Sequence, residues 1–311
     1  MRRLGLAFGG LALAGGGLGA AAVLAAIDRR RWRMPEPRGF VREVAGARVH
    51  YLDEGAGKAV VLVHGFAGST FSWLPVVPEL AREFRVVAVD LPGFGLSDRR
   101  PGIGYGHEAQ AERLRALLDL LGIERAAFVG HSMGGAIVQR LAARHPDRVE
   151  RLVLVGSVSA GEQIAFGRRR AAGRVAFAAV GLAARWPSLL YAVGRRSLRQ
   201  MVGDPALATE ERLRGYMDPL LIPGTVRAVR ELAEEHAREA PVDLAEVRAP
   251  ALVLTGERDV VVPPQRAREL AASLPGAGAA VVVPGAGHLL AEEQPAEFLR
   301  LVLPFLRGEG G

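Results

Sequence analysis

Short apolar segments that alternate with longer segments of helical periodicity are the feature that most restricts how this 311-residue chain can fold. Segments such as Ala59–Val63, Ala126–Val129 and Leu152–Val155 are uniformly apolar and short, which is typical of strands buried on both faces. Because helical segments separate such runs, the pattern predicts an α/β protein with a mostly parallel sheet flanked by helices. The other predicted strands are Phe40–Val44, Arg48–Leu52, Arg85–Val89, Ala251–Leu254 and Ala279–Val283, and the predicted helices are Trp73–Glu83, His107–Leu121, Met133–Arg144, Pro264–Ser273 and 295–306.

The alternation is interrupted over residues 158–240, which are apolar and rich in arginine and contain no segment typical of a strand. Ligands of open α/β sheets bind at the carboxyl ends of the strands, so helices inserted between two strands can cover such a site. We therefore predict a core in two parts, residues 34–157 and 241–311, with a helical cap over residues 158–240.

The first 33 residues contain an apolar segment of membrane length. Residues 4–27 have no charged or strongly polar side chain, and as a helix they would span roughly 36 Å, against about 30 Å for a hydrocarbon core. We predict a single transmembrane anchor within residues 1–33, with the chain that follows it cytoplasmic because more arginines follow the segment than precede it. The alternative is export after cleavage of a signal peptide, although the apolar run is longer than such peptides usually contain.

The formal net charge of +7, from 40 basic and 33 acidic residues, is unevenly distributed. Residues 1–40 carry +5 and residues 158–240 carry +4, which leaves −2 for the remainder of the chain. Positive charge beside a membrane-length segment favours an anionic lipid surface over a nucleic acid as partner. We expect membrane contact through the N-terminal helix, with the cap as a second contact, and no nucleic acid; the sequence specifies no oligomeric state.

A serine lies in the turn between a predicted strand and a predicted helix. The sequence Gly-His-Ser-Met-Gly at residues 130–134 matches G-x-S-x-G in the strand–turn–helix context that gives this motif its meaning. The flanking glycines, Gly130 and Gly134, let neighbouring backbone approach a sharp turn without a clash from a Cβ atom. The motif predicts that Ser132 is a nucleophile presented on an elbow.

A serine hydroxyl needs a base, usually a histidine that a carboxylate orients. Asp259 and His288 each follow a predicted strand, in the chain order Ser, Asp, His, and the carboxyl ends of parallel strands share one edge of the sheet. We predict a triad of Ser132, Asp259 and His288. This chemistry requires neither a metal nor an organic cofactor, and the absence of cysteine from the sequence excludes thiol catalysis and Cys-ligated zinc.

Hydrolysis through a tetrahedral intermediate also needs backbone N–H groups directed at the developing oxyanion. Met133, directly after the serine, supplies one predicted donor. The loop after Ala59–Val63 begins with His64 and Gly65, and we predict that the Phe66 amide in this loop supplies the second.

Taken together, these motifs resemble the α/β-hydrolase fold superfamily, in its serine esterase and lipase-like branch. The resemblance spans about residues 40–306 and implies an eight-stranded sheet with a cap inserted after the sixth strand. It also implies that Asp90 is a structural aspartate rather than a catalytic one. The segments that carry the resemblance are His64-Gly65-Phe66, 90–98, 130–135, 256–259 and Gly287-His288.

Several activities share this triad. The sequence favours hydrolysis of a carboxylic ester through an acyl-enzyme, and the anchor and cap indicate a lipophilic, monoacylglycerol-like substrate. Serine at position 132 argues against relatives that use an aspartate nucleophile. The alternatives are a C–C bond hydrolase of ring-cleavage products (2-hydroxy-6-oxo-dienoate type), whose members usually carry Trp where Leu289 stands, a cofactor-free haloperoxidase or perhydrolase, and a non-catalytic ligand-binding receptor.

Overall fold

A computed structural model of the protein describes residues 38–161 and 187–309, and an eight-stranded sheet runs through its centre. The sheet order is β1-β2-β4-β3-β5-β6-β7-β8 for the strands β1 Phe40–Val44, β2 Ala47–Glu54, β3 Ala59–Val63, β4 Arg85–Val89, β5 Ala126–His131, β6 Val149–Val155, β7 Ala251–Gly256 and β8 Val281–Val283. Strand β2 is antiparallel to both of its neighbours, whereas all pairs from β4 to β8 are parallel. The predicted α/β fold with a mostly parallel eight-stranded sheet is therefore confirmed.

Helices lie on both faces of this sheet. Within residues 38–161 and 187–309 the α-helices are α1 Val77–Leu80, α2 His107–Leu120, α3 Met133–Arg144, α4 Pro187–Met201, α5 Glu210–Leu220, α6 Thr225–His236, α7 Pro264–Ser273, α8 Leu290–Glu293 and α9 Pro295–Arg307. Strand β3 shows why its sequence is uniformly apolar: Val61 and Val63 pack in the layer of α2, α3 and α7, while Val60 and Leu62 pack in the layer of α1 and α9. A strand buried on both faces has no position for a polar side chain.

Between β6 and β7, the described part of the chain contains three helices, α4 to α6, and we call residues 187–236 the helical insertion. Helix α5 packs on the segment that follows β3, where the Tyr216 ring meets Phe71 edge to face at 6.1 Å and the Tyr216 hydroxyl lies 3.0 Å from Ser72 Oγ. Residues 162–186 of the predicted cap lie outside the described ranges, and the domain limits at 158–240 stay a prediction.

One predicted helix is much shorter in the structure. Instead of a helix over Trp73–Glu83, the chain forms a 3-10 turn over Thr70–Trp73 and the single-turn helix α1. Pro75 explains the break, because proline has no backbone N–H to donate and disfavours a helical conformation at the residue before it.

The structure also corrects the prediction of a membrane-anchored protein. In the ranges 38–161 and 187–309, no helix combines the length and the apolar character needed to cross a bilayer. Helix α4, for example, has 15 residues, which corresponds to roughly 22 Å and is shorter than a hydrocarbon core. Residues 1–33, which carry the predicted transmembrane anchor, its orientation and the alternative signal peptide, lie outside these ranges.

Candidate active site

Ser132 occupies a strained turn between β5 and α3. Its backbone has φ 51° and ψ −117°, a conformation that costs a non-glycine residue free energy and persists only where its surroundings hold it. The Ser132 amide donates to the Val155 carbonyl at 3.0 Å. A Cβ atom at Gly130 would lie 2.6 Å from the Gly135 Cα atom, so the elbow needs glycine there. The serine and the glycines of the motif thus have the geometry expected of a nucleophile elbow.

Asp259 and His288 follow β7 and β8, and their side chains are bonded to each other. Asp259 Oδ2 lies 2.8 Å from His288 Nδ1, and both residues are almost completely buried. Asp259 Oδ1 accepts from the amides of Val261 and Val262, at 2.8 Å each. Because the carboxylate accepts from Nδ1, this hydrogen bond assigns the proton to Nδ1 and leaves Nε2 of His288 as the basic atom.

The end of β6 brings the serine to the histidine and aspartate. Val155 binds the Ser132 amide, and the next residue, Gly156, has a φ of 48°. A Cβ atom at Gly156 would lie 3.0 Å from both Asp259 Oδ2 and His288 Nδ1. All three residues of the predicted triad therefore lie at the same edge of the sheet, around the carboxyl end of β6.

His64 anchors the loop that follows β3. Its Nε2 accepts from the Leu91 amide at 3.0 Å, so Nδ1 carries the proton and donates to the Gly65 carbonyl at 2.7 Å. Burial lowers the pKa of His64, which keeps the ring neutral. With both ring nitrogens bonded to backbone, His64 serves to hold the loop and is not free to act as a base.

The two predicted oxyanion donors lie on segments that adjoin the serine. A Cβ atom at Gly65 would lie 2.9 Å from Ser132 Cβ, so the loop that carries Phe66 packs directly on the nucleophile elbow. Met133 is the first residue of α3, and amides in the first turn of a helix have no partner within the helix. The structure thus places the segments that carry both predicted donors against Ser132; the role of these amides in stabilising an oxyanion stays a prediction.

His131, the residue before the serine, contacts both the backbone and the ring of His288. Its Nε2 lies 2.9 Å from the His288 carbonyl oxygen, and the two rings are 4.6 Å apart. Burial, followed by the neighbouring His288, lowers the pKa of His131 well below its usual range. A neutral ring that donates from Nε2 to this carbonyl is the arrangement that fits these contacts.

Gly156 and Glu293 touch the site and are not among the residues predicted from the sequence. Gly156 carried a usable signal, since a glycine directly after a buried strand marks a close approach of other atoms. Glu293 carried none, because its carboxylate binds the amides on either side of His288 and that of Gly203, which is 90 residues away in the chain.

One group elsewhere in the described residues has the composition of a metal site, namely His107, His236 and Glu239. The two imidazole rings are stacked, with centroids 3.9 Å apart and planes inclined by 30°. Because the lone pairs of imidazole lie in the ring plane, stacked rings direct them side by side and not at one ion. Arg140 also places a cation 4.0 Å from Glu239. This arrangement favours packing between α2 and the end of α6 over metal binding.

Comparison with known proteins agrees with this architecture. A family model for the alpha/beta hydrolase fold matches residues 58–295. The 2-hydroxy-6-oxo-2,4-heptadienoate hydrolase of Pseudomonas putida is 31% identical over 274 residues, which cover 85% of this chain and 94% of that hydrolase. The dihydrolipoyllysine-residue acetyltransferase component of an acetoin cleaving system, also from Pseudomonas putida, is 36% identical over 276 residues, with coverage of 85% and 68%.

A solved structure extends the comparison to ester hydrolysis. A thermophilic esterase from Thermogutta terrifontis is similar with a TM-score of 0.72 and 27% identity, and the match covers 88% of this chain and 100% of the esterase. The chain is thus similar both to a 2-hydroxy-6-oxo-2,4-heptadienoate hydrolase and to an esterase.

Proposed function

The chain belongs to the α/β-hydrolase fold family, and we propose on this premise that it hydrolyses a carboxylic ester through a Ser132 acyl-enzyme. The observation that carries the proposal is the hydrogen bond between His288 Nδ1 and Asp259 Oδ2, formed where the strained Ser132 elbow meets the end of β6. A binding protein has no need of a strained serine together with an oriented, buried imidazole.

In the proposed reaction, Ser132 Oγ attacks the acyl carbon and His288 Nε2 takes the hydroxyl proton. Asp259 holds the imidazole in the required tautomer and stabilises its positive charge. The tetrahedral intermediate collapses as His288 returns the proton to the departing alcohol. A water molecule then attacks the acyl-enzyme, again with His288 as base, and releases the acid and free Ser132.

The amides of Phe66 and Met133 are the proposed donors to the oxyanion. Each such donor contributes about 3 kcal/mol to the stabilisation of a transition state of this kind. The rigid attachment of the loop through His64 supports this role, because donors that are already in place need no reorganisation during the reaction.

We further propose that the acyl group is lipophilic, as in a monoacylglycerol-like ester. Support comes from large apolar side chains that remain exposed on the segments carrying the proposed catalytic groups. Phe66 on the oxyanion loop is 52% exposed, and Val260, directly after Asp259, is 65% exposed. Exposed apolar side chains next to a reactive centre are typical of a surface that receives an apolar ligand.

Labelling with a fluorophosphonate probe tests the reaction class, because the probe reacts covalently with an activated serine. We expect the folded wild type to be labelled and Ser132→Ala not to be. Steady-state rates with p-nitrophenyl esters of increasing chain length then test the acyl preference, and kcat/KM is expected to rise from acetate to octanoate. A folded wild type that is not labelled would support the non-catalytic receptor instead.

Carbon–carbon bond hydrolysis is the second candidate. The similarity to the Pseudomonas putida heptadienoate hydrolase favours it, while Leu289 stands where we expect tryptophan in such enzymes. Both activities need Ser132, so loss of Ser132 does not separate the two candidates. The loss of absorbance of a 2-hydroxy-6-oxo-dienoate does, because it measures carbon–carbon bond hydrolysis alone. Faster turnover of the dienoate than of every ester tested would overturn the ester proposal.

A further inference from the structure

The carboxylate of Glu293 accepts hydrogen bonds from the backbone on both sides of the catalytic histidine. Its Oε2 accepts from the Gly287 amide at 3.0 Å, and its Oε1 accepts from the Leu289 amide at 2.9 Å. These are the residues directly before and after His288. One side chain therefore holds the backbone on both sides of His288.

The same carboxylate extends to the helical insertion. Glu293 Oε2 also accepts from the Gly203 amide at 2.6 Å, two residues beyond the end of α4. The His288 amide in turn donates to the Met201 carbonyl at 2.6 Å. Gly203 is held from its other side, where its carbonyl accepts from Arg258 at 3.0 Å. The histidine loop and the chain after α4 thus share a connected set of hydrogen bonds.

The packing leaves this contact little freedom to shift. A Cβ atom at Gly287 would lie 2.5 Å from the Gly203 nitrogen, so the two backbones touch without an intervening side chain. Glu293 bonds both backbone segments of this contact and therefore determines where the His288 backbone lies.

The neighbouring Glu292 provides a contrast. Its carboxylate binds Arg212 at 3.0 Å and the Tyr216 hydroxyl, both on α5. It therefore joins helix α8 to the insertion without bonding either amide that flanks His288. The two adjacent glutamates make separate connections, one to α5 and one to the catalytic histidine.

We propose that Glu293 is a positioning residue for His288, which it holds in register with the helical insertion through Gly203. This inference rests on the proposed function. When the carboxylate is lost, the amides of Gly287, Leu289 and Gly203 lose their shared acceptor and the histidine loop can shift. A displacement of about 1 Å in a catalytic group costs on the order of 100-fold in rate.

Glu293→Gln tests this directly, because its amide NH2 would face a backbone N–H where an oxygen now accepts. We expect kcat for a p-nitrophenyl ester to fall about 10–100-fold with KM within about twofold, and the fluorophosphonate labelling rate to fall in parallel. Glu292→Gln is the matched control: it makes the same replacement of a carboxyl by an amide one residue away, and kcat should stay within about threefold.

Glu293→Asp keeps the charge but is one methylene shorter, and it should give an intermediate loss with a near-normal melting temperature. This variant keeps the test valid if Glu293→Gln does not fold. Wild-type kcat and labelling rate in folded Glu293→Asp and Glu293→Gln would overturn the positioning role, as would equal losses in Glu292→Gln and Glu293→Gln. Absence of labelling in the wild type would instead count against the proposed function itself.

Discussion

Nδ1 of His288 lies 2.8 Å from Oδ2 of Asp259, and the other oxygen of that carboxylate is occupied by two backbone amides. Because the amides of Val261 and Val262 determine the orientation of the carboxylate, Oδ2 can do little other than accept from the histidine. In the proposed reaction, the aspartate therefore acts through the tautomer and orientation of the imidazole.

Asp259→Asn should lower kcat by about 10³–10⁴-fold while the protein stays folded. The asparagine amide can present a donor to Nδ1, which favours the tautomer with the proton on Nε2 and removes the base that Ser132 needs. Steady-state rates of ester hydrolysis give kcat, and circular dichroism checks the fold. An Asp259→Asn variant that keeps more than a tenth of the wild-type kcat would exclude the proposed role of this aspartate.

Gly156→Ala should abolish most of the activity, because the new Cβ atom would lie 3.0 Å from both His288 Nδ1 and Asp259 Oδ2. We expect kcat to fall by at least about 100-fold as the pair is pushed apart. The backbone at Gly156 also has a φ of 48°, which by itself costs a non-glycine residue about 1–2 kcal/mol of stability.

Gly102→Ala is the control for that backbone cost. Gly102 has a φ of 72°, and a Cβ atom there would meet nothing within 4 Å. Chemical denaturation should show a similar loss of stability in both variants, with kcat reduced only in Gly156→Ala. Equal kcat in the two variants would mean that contact with the histidine and aspartate is unimportant.

Most of the sheet was predictable from sequence because a strand covered on both faces has a uniformly apolar sequence. Strands β3 and β4 have the predicted limits. Strand β6 begins at Val149, three residues before the predicted Leu152. The predicted strand is too short because Glu150 and Arg151 interrupt the apolar pattern at the partly exposed amino end of β6. The apolar pattern therefore predicts which part of a strand is buried, not where the strand begins.

The triad candidates were found because each follows a strand, and the carboxyl ends of parallel strands meet at one edge. The support for His288 could not be found in this way. The Met201 carbonyl accepts from the His288 amide, and Glu293 joins the amides of Gly287 and Leu289 to that of Gly203, 90 residues away in the chain. Contacts between such distant parts of the sequence leave no periodic pattern. Local rules therefore bring the proposed reacting groups together at one edge of the sheet, while the side chains that contact them from distant parts of the sequence are seen only in the folded chain.

His50→Gln should destabilise the protein more at low pH than at high pH. The His50 ring lies 2.8 Å from Asp90 Oδ2 and 2.6 Å from the Arg38 carbonyl oxygen, so both ring nitrogens face acceptors. Burial opposes the charged ring, but the hydrogen bond and the charge of Asp90 outweigh it and raise the pKa of His50. A raised folded-state pKa stabilises the fold fully below about 6.5, and this contribution is lost as the pH rises through the folded-state value.

Urea denaturation at pH 6 and pH 9 measures this effect. Removal of one partner of a buried ion pair costs about 3–5 kcal/mol, and we expect a difference of that size between wild type and His50→Gln at pH 6, with a smaller difference at pH 9. A difference that does not change between these pH values would show that folding does not raise the pKa of His50.

Glu292→Gln should gain stability relative to the wild type as the pH rises. Burial raises the pKa of Glu292 to about 7, against the opposing effects of the Tyr216 hydroxyl and the Arg212 charge. For a carboxyl whose folded-state pKa is raised, the stabilising contribution is present below about 4.5 and is lost as the pH rises through 7. Glutamine has no such titration, so the unfolding free energy of the wild type should fall by about 2–3 kcal/mol relative to Glu292→Gln between pH 5 and pH 8.5.

The control for this titration is Glu83→Gln, which removes a carboxylate from an exposed pair with Arg307. The guanidinium of Arg307 lowers the pKa of Glu83, so this carboxyl is already ionised at pH 5 and contributes no slope above it. Urea denaturation of the three proteins at four pH values between 5 and 8.5 gives the comparison. If Glu292→Gln and wild type keep a constant difference over this range, Glu292 is ionised throughout, and Arg212 then outweighs the cost of burying the carboxylate.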